Sequence, residues 1–341
     1  MTKNIAKLEE KLSALLGTTQ FEKVEIVQSL WSGYGEIGRY ENKDKSNPFY
    51  GRFIVKHISP PTIQEHPRGW NGAVAHQRKL TSYNVEAEFY QNWANTIKPI
   101  CALPKFIAQE NFNEGCPNSK IIVMSDLDSN GYPIRLSNAS IKVAGTCLDW
   151  LARFHALNLQ LEVIEDWPKN LWPIGTYWYL DTRLTEYNAM EESELKRCAE
   201  LLNAKLNNCQ FKTLVHGDAK IANFCFSEDL SEVAAVDFQY VGAGCGMKDV
   251  IYFLGSCLDE TTLEQHFDEL IDVYFSHLKT SIEELNSKVC FKEVESEWRE
   301  LIDIAWADFE RFLAGWAPTH NKRTVFSQKR TMAALNKIQC S

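Results

Sequence analysis

The spacing of apolar positions changes character along this chain. Between Glu22 and Ile58 the runs VEIVQSLW and FYGRFIVKHI flank a glycine-rich turn and a polar stretch through Pro48, which predicts an antiparallel meander of strands. A stretch rich in Pro, Gly, His and Arg follows. Next comes TSYNVEAEFYQNWANTI, where Tyr83, Ala87, Tyr90 and Ala94 recur at helical spacing. The run SKIIVMSDL predicts a short strand, and Asp128, Ser129, Asn130 and Gly131 a turn-rich connector. Beyond it the period is mostly helical, over 141–157, 180–206, 262–278 and 293–316. Between the second and third of these helices lie two strand-like pieces, TLVHGD to NFCF and EVAAVDFQ. The N-terminal MTKNIAKLEEKLSALLG reads as an amphipathic helix. Together these elements give an α+β chain, with a strand-rich N-terminal lobe over 1–125 and a larger, mainly helical C-terminal lobe over 126–341.

Composition narrows the class. At 341 residues the chain is long enough for two units that each bury a core, and 45% hydrophobic with 24% charged residues is a globular balance. A formal charge of -9 with no basic stripe argues against nucleic acid as a partner. The N-terminus lacks the continuous apolar run of a signal peptide or membrane span, so the expectation is a cytoplasmic protein with no membrane partner. Ten cysteines are scattered without a CxxC pair, and several, such as Cys147, Cys225 and Cys257, lie in apolar runs where cysteine acts as a small hydrophobe. Neither a disulfide framework nor a zinc site is indicated.

The segment VHGDAKIANFCF carries the chemistry. Asp218 and Asn223 stand five residues apart in a loop, and Asp237 ends the apolar run VAAV fourteen residues later. Phosphoryl transfer from ATP needs magnesium held across the phosphates and a carboxylate beside the attacking hydroxyl, and two Asp and an Asn at strand ends can supply both. The plain alternative is that HGD is a polar turn and Asp237 a strand-end cap. His216, Gly217, Asp218 and Asn223 reproduce the catalytic loop of the aminoglycoside phosphotransferase and choline kinase superfamily, and the chain resembles its bacterial ecdysteroid kinase-like branch. The resemblance implies a two-lobed protein-kinase-like fold, with ATP and Mg2+ as cofactors. It also implies Asp218 as catalytic base, Asn223 as a metal ligand, and Asp237 as the metal-binding Asp of a DFG-like triplet. Here that triplet reads Asp237, Phe238, Gln239.

The nucleotide-binding candidates lie upstream. Gly33, Gly35 and Gly38 form a literal GxGxxG. A dinucleotide turn would need a helix directly after the glycines, whereas RYENKDKSNPFYGRF leads into another strand, the kinase arrangement. An ordinary glycine hairpin is the plain alternative. Lys56 in FIVKHI resembles the kinase VAIK strand, and a lysine within an apolar strand is costly unless it finds anions. Glu86 is its expected carboxylate partner by resemblance to the family's SYNVE segment, with Glu88 in reserve. Backbone groups near Met124 and Asp126, in IIVMSDL, are placed where the family's interlobe segment meets adenine. Asp249 matches a family aspartate that braces the catalytic loop, a helix cap being the alternative, and His155 is read as a packed histidine outside the site.

The acceptor is expected to be a small molecule bearing a hydroxyl, because only FQYVGAGCGMK separates Asp237 from Asp249, too little for a peptide-docking segment. Trp172, Tyr177, Trp178, Trp306 and Trp316, with Asp308 or Glu310, are candidates for a cationic or amphipathic alcohol, against plain core packing. Two further readings remain at this point. One is a catalytically silent nucleotide-binding protein on the same fold. The other is a metal-dependent phosphohydrolase, for which further closely spaced His or Asp ligands are missing.

Overall fold

Alternation in the apolar run FIVKHI decides the layout of the N-terminal part. In FIVKHI, Phe53 and Val55 point to one face and Lys56 to the other, because side chains alternate along a strand. The computed structural model describes residues 2–61, 73–112, 118–161, 165–285 and 287–339, and divides into two units, Met1–Pro133 and Ile134–Ser341.

The first unit opens with helix α1 (Thr2–Leu16), followed by strands β1 (Phe21–Ser29), β2 (Gly35–Asn42) and β3 (Gly51–Ile58). Helix α2 (Ala73–Glu88) continues through a π turn at Phe89–Trp93 into the short α3 (Ala94–Ile97). Strands β4 (Phe106–Phe112) and β5 (Ser119–Ser125) complete one antiparallel sheet in the order β1-β2-β3-β5-β4. Leu8, Leu12 and Leu16, one helical turn apart on α1, pack with Tyr40, Phe53, Val55, Ile121 and Val123 on one face of this sheet. Lys56 points to the opposite face, where α2 brings Glu86 against it. The sheet is thus covered by α1 on one side and α2 on the other.

In the second unit, α4 (Ile141–Asn158) is capped by the Ser140 hydroxyl, which accepts from the Val143 N–H at 3.3 Å. The helix expected over 180–206 is instead a 3-10 turn at Leu180–Thr182 followed by three short helices, α5 (Leu184–Ala189), α6 (Glu194–Arg197) and α7 (Ala199–Asn207). Two local causes account for the break. Ser193 is extended and caps α6 by accepting from Lys196 N–H, and the α5 backbone packs so closely on Gly315 that a Cβ there would lie 1.9 Å from the Glu186 carbonyl oxygen. Four three-residue strands follow, β6 (Thr213–Val215), β7 (Phe224–Phe226), β8 (Val233–Ala235) and β9 (Gly242–Gly244), paired antiparallel as β6 with β9 and β7 with β8. Helices α8 (Met247–Cys257), α9 (Glu260–Glu284), α10 (Phe291–Trp316) and α11 (Val325–Gln339) complete the unit. Trp150 and Phe154 of α4 stack on each other and meet Phe224 and Phe238, which seats the β7–β8 hairpin and the Asp237 turn on the core. Strand-rich first unit and helix-rich second unit make the α+β arrangement that the residue pattern predicts. Among the described residues no helix is long and apolar enough to cross a membrane.

Candidate active site

The loop from His216 to Asn223 owes its shape to three anchors. First, the fully buried Asp249, near the start of α8, accepts backbone N–H groups of His216 and of Gly217, the latter at 2.9 Å. His155 of α4 lies beside the same carboxylate, its Nε2 3.2 Å away and its Nδ1 2.8 Å from the Tyr274 hydroxyl. Asp249 therefore braces the loop, and His155 is packed behind it. Second, the His216 ring lies 4.6 Å from the Phe238 ring, its Nε2 is 3.0 Å from the Val236 carbonyl, and its Nδ1 accepts the Asp218 N–H at 3.3 Å. These two bonds assign the proton to Nε2. Third, Gly217 has φ +79, and a Cβ there would stand 2.0 Å from the Tyr240 carbonyl oxygen, so no larger residue fits.

The anchored loop presents Asp218, which is almost fully buried. Its Oδ2 accepts from Lys220 Nζ at 3.0 Å and from Asn223 Nδ2 at 3.2 Å, and its Oδ1 accepts from the Tyr252 hydroxyl at 3.2 Å. The Asn223 amide nitrogen also donates to the Asp218 carbonyl at 2.8 Å. Asn223 and Asp237 flank the open end of the β7–β8 hairpin, where Phe224 pairs with Ala235 and the Val236 N–H continues the ladder to the Asn223 carbonyl at 2.9 Å. Asp237 takes a left-handed φ of 68°, and its Oδ1 accepts from the Gln239 amide. The departure from glycine at the third position of the triplet thus supplies a donor that orients Asp237.

Electrostatics follow from this crowding. The Lys220 ammonium is pushed above its ordinary range, chiefly by the Asp218 charge and also by Asp237, so it stays protonated throughout the neutral range. Burial raises the hydroxyls of Tyr252 and Tyr177 well above the usual tyrosine range, and both stay neutral, Tyr252 as a donor to Asp218. Lys220 and Tyr252 were not singled out by the sequence reading. Lys220 lies inside the quoted loop, two residues after Asp218, and Tyr252 lies one helical turn after Asp249, on the same side of α8.

The upstream candidates occupy the first unit. Lys56 and Glu86 are buried together, with Lys56 Nζ 2.8 Å from Glu86 Oε1 and 2.6 Å from Oε2. Glu88 instead accepts from Asn92 at 2.9 Å. Lys120 on β5 also feels Glu86 first and Glu88 next among charges, although burial lowers its pKa overall. Of the glycines, Gly33 ends a 3-10 turn, while Gly35 opens β2 and Gly38 lies within it. A Cβ on Gly35, at φ +127, would stand 2.0 Å from the His57 carbonyl oxygen, so close packing on β3 is what requires a glycine there. A strand follows these glycines, not a helix, which removes the dinucleotide reading. Met124 lies on β5 between Ile54 of β3 and Phe106 of β4. The Asp126 carboxylate accepts from Arg39 Nε at 3.0 Å and from the Ser129 hydroxyl at 3.1 Å, and so closes the turn after β5.

The aromatic set proposed for a cationic acceptor is differently engaged. Trp178 is fully buried, and its Nε1 donates to Asp308 at 3.0 Å. Asp308 is paired with the buried Arg311 at 2.8 Å, and Glu310 with Arg323 at 2.7 Å. Both carboxylates are neutralised by arginines inside the helical core, so they are not available to attract a substrate cation, and that expectation is corrected.

The model of the ecdysteroid kinase-like family matches residues 174–287, the stretch that holds Asp218, Asn223, Asp237 and Asp249. An amicoumacin kinase, solved in complex with AMP-PNP and Ca2+, superposes with a TM-score of 0.52 at 12% identity, covering 100% of this chain and 96% of that one. A type VIII aminoglycoside-3'-phosphotransferase gives 0.48 at 16% identity over 87% and 98% of the two chains. A choline kinase from Streptococcus pneumoniae gives 0.47 at 13% identity over 99% and 100%. The first of these shows the fold to be kinase-like. No curated protein matches the sequence.

Proposed function

From the kinase-like fold and the family match over residues 174–287, we propose that this protein transfers the γ-phosphoryl group of ATP to a hydroxyl of a small molecule. The observation that carries this reading is the Asp218 carboxylate, bonded by Lys220, Asn223 and Tyr252 beside the Asn223–Asp237 pair. Each carboxylate oxygen can accept two hydrogen bonds, so Oδ1, with Tyr252 on one side, can take a substrate hydroxyl on the other. Asp218 orients that hydroxyl and receives its proton as the new P–O bond forms and the bond to ADP breaks.

The donor set fits magnesium. With Nδ2 of Asn223 engaged by Asp218, the amide offers its oxygen, and Asp237 adds a carboxylate at the same hairpin end. Among the described residues no group of three or more His, Cys, Asp or Glu side chains could hold a metal alone, and an ion shared with phosphate oxygens needs none. When bound there, magnesium would neutralise charge on the phosphates. Lys56, positioned by Glu86, would pair with phosphate oxygens, and Lys220 would offset charge developing near Asp218.

A small acceptor is favoured by the segment after Asp237. Phe238, Gln239, Val241, Ala243 and Cys245 are buried, and the segment is drawn into β9 against β6, so it offers no exposed platform for a peptide. The test is ATP consumption with and without a library of hydroxylated small molecules, run beside generic protein substrates. Acceptor-dependent turnover on a small alcohol is expected. Tight Mg-ATP binding with no acceptor-dependent turnover would favour a silent nucleotide-binding protein, and efficient protein phosphorylation with small alcohols untouched would refute the acceptor class.

A further inference from the structure

We propose that the acceptor carries an anionic group next to its reacting hydroxyl, and that the Lys322 ammonium holds that group. This rests on the phosphotransferase reading and names the substrate class of the same site.

Lys322 lies in the turn between α10 and α11, far along the chain from Asp218. The turn is well fixed: Arg323 donates to Glu310 at 2.7 Å and to the Pro318 carbonyl at 2.7 Å, and the Lys322 N–H donates to His320 Nδ1 at 3.1 Å. The half-buried side chain of Lys322 places its ammonium 4.6 Å from the ring centre of Tyr252 and 5.9 Å from that of Phe309. Tyr252 is the residue whose hydroxyl holds Asp218 Oδ1. Among the described residues no carboxylate lies within 4.0 Å of the Lys322 ammonium. A lysine kept from water over aromatic rings without an ion-pair partner is costly, and a ligand anion offsets that cost. Burial accordingly lowers its pKa to about 8, with Asp218 pulling it up and Lys220 pushing it down.

The side of Asp218 on which Lys322 lies assigns the anion to the acceptor. Lys220 and Asn223 share Oδ2, and Lys220 also feels Asp237, so that side belongs to metal and phosphate. Lys322 sits over the residue that holds Oδ1, and the charges acting on it are Asp218, Lys220 and the Cys257 thiol. Lys220 is already balanced by Asp218, which leaves Lys322 as the cation that a substrate must complement. A hydroxy acid, or an alcohol bearing phosphate or sulfate, meets that demand, whereas an amino alcohol is repelled.

The experiment uses the full chain with a non-hydrolysable ATP analogue and magnesium. Calorimetry would compare glycerate, 3-hydroxybutyrate and glycerol phosphate with glycerol, 1-butanol and choline, in wild type, Lys322→Gln and Lys322→Arg. At least one anionic alcohol should bind wild type tenfold or more tighter than its neutral counterpart. That preference should vanish in Lys322→Gln and survive in Lys322→Arg, with affinity for the nucleotide preserved in both. If no anionic alcohol is preferred, or if the preference survives in Lys322→Gln, the assignment is wrong. If Lys322→Gln weakens nucleotide affinity and leaves acceptor affinity alone, the lysine serves the phosphates and the assignment is equally wrong. Absence of nucleotide binding in wild type would instead remove the phosphotransferase reading itself.

Discussion

At the scale of single residues, Asp218 and Asp237 differ in what surrounds them, and that difference separates their roles. Asp218 is held by three donors, two of them on Oδ2, so replacing it with Asn leaves the loop near its shape but removes the base that the proposed function needs. Turnover of Asp218→Asn should fall about 10²- to 10⁴-fold with Mg-ATP affinity nearly unchanged. On the proposed function, Asp237→Ala removes a metal ligand, and Lys56→Ala removes a phosphate partner together with the buried ion pair to Glu86. Both should weaken Mg-ATP binding along with turnover. Calorimetry and single-turnover kinetics on the three variants read the split. Full turnover in Asp218→Asn, or loss of its ATP binding while folded, would overturn the role given to Asp218. The sequence singled out Asp218, Asn223 and Asp237 because a carboxylate, an amide and a second carboxylate stand at fixed spacing, and the structure brings them together at one end of the β7–β8 hairpin. Tyr252 was not singled out, since a tyrosine in the apolar run DVIYFLGSCL looks like packing until α8 turns its hydroxyl towards Asp218.

At the scale of elements, period carried the reading where one face of an element does one thing. Charges alternating with Leu and Ala at helical spacing in MTKNIAKLEEKLSALLG made α1 recognisable, and in the structure Leu8, Leu12 and Leu16 are its buried face. Period did not carry where short elements are shaped by neighbours. The broken 180–206 region follows cap chemistry at Ser193 and the close approach to Gly315, and β9 is a Gly-Ala-Gly strand that exists because β6 lies beside it. Docking of α1 makes a direct test of the sheet's covered face. Leu12 is fully buried against Phe53, Val55 and Val123, so Leu12→Ala should cost about 2–5 kcal/mol, read as a lower urea midpoint at unchanged slope. Glu10→Ala, on the exposed side of the same helix, should stay within about 0.5 kcal/mol. Equal effects of the two would mean that α1 is not docked as described.

At the scale of the whole molecule, local and global charge point in opposite directions. The chain carries a formal charge of -9, yet the Asp218 carboxylate has Lys220 bonded to one oxygen and, on the other, Tyr252, over whose ring the Lys322 ammonium lies. No reading of composition reports this, because Lys322 stands in the polar stretch NKRT, where a lysine looks like any solvated charge, and only the α10–α11 turn carries it to Tyr252. The consequence is a pH dependence confined to acceptor binding. Lys322 is charged below a pKa of about 8 and neutral above it, and a bound anion raises that pKa. Affinity for an anionic acceptor should therefore be full near pH 7 and fall by up to about tenfold per unit as pH rises past 8. The other groups facing Lys322 do not titrate there. Lys220 is pushed up by Asp218, the Tyr252 hydroxyl is raised by burial, and the Cys257 thiol is raised to about 12, also by burial. Calorimetric titration of the preferred anionic alcohol between pH 6.5 and 9.5, wild type beside Lys322→Arg, should show the loss in wild type alone, because a guanidinium stays charged across that range. A loss of equal size in both proteins would place the titrating group elsewhere, and no loss in either would mean that Lys322 does not bear the anion.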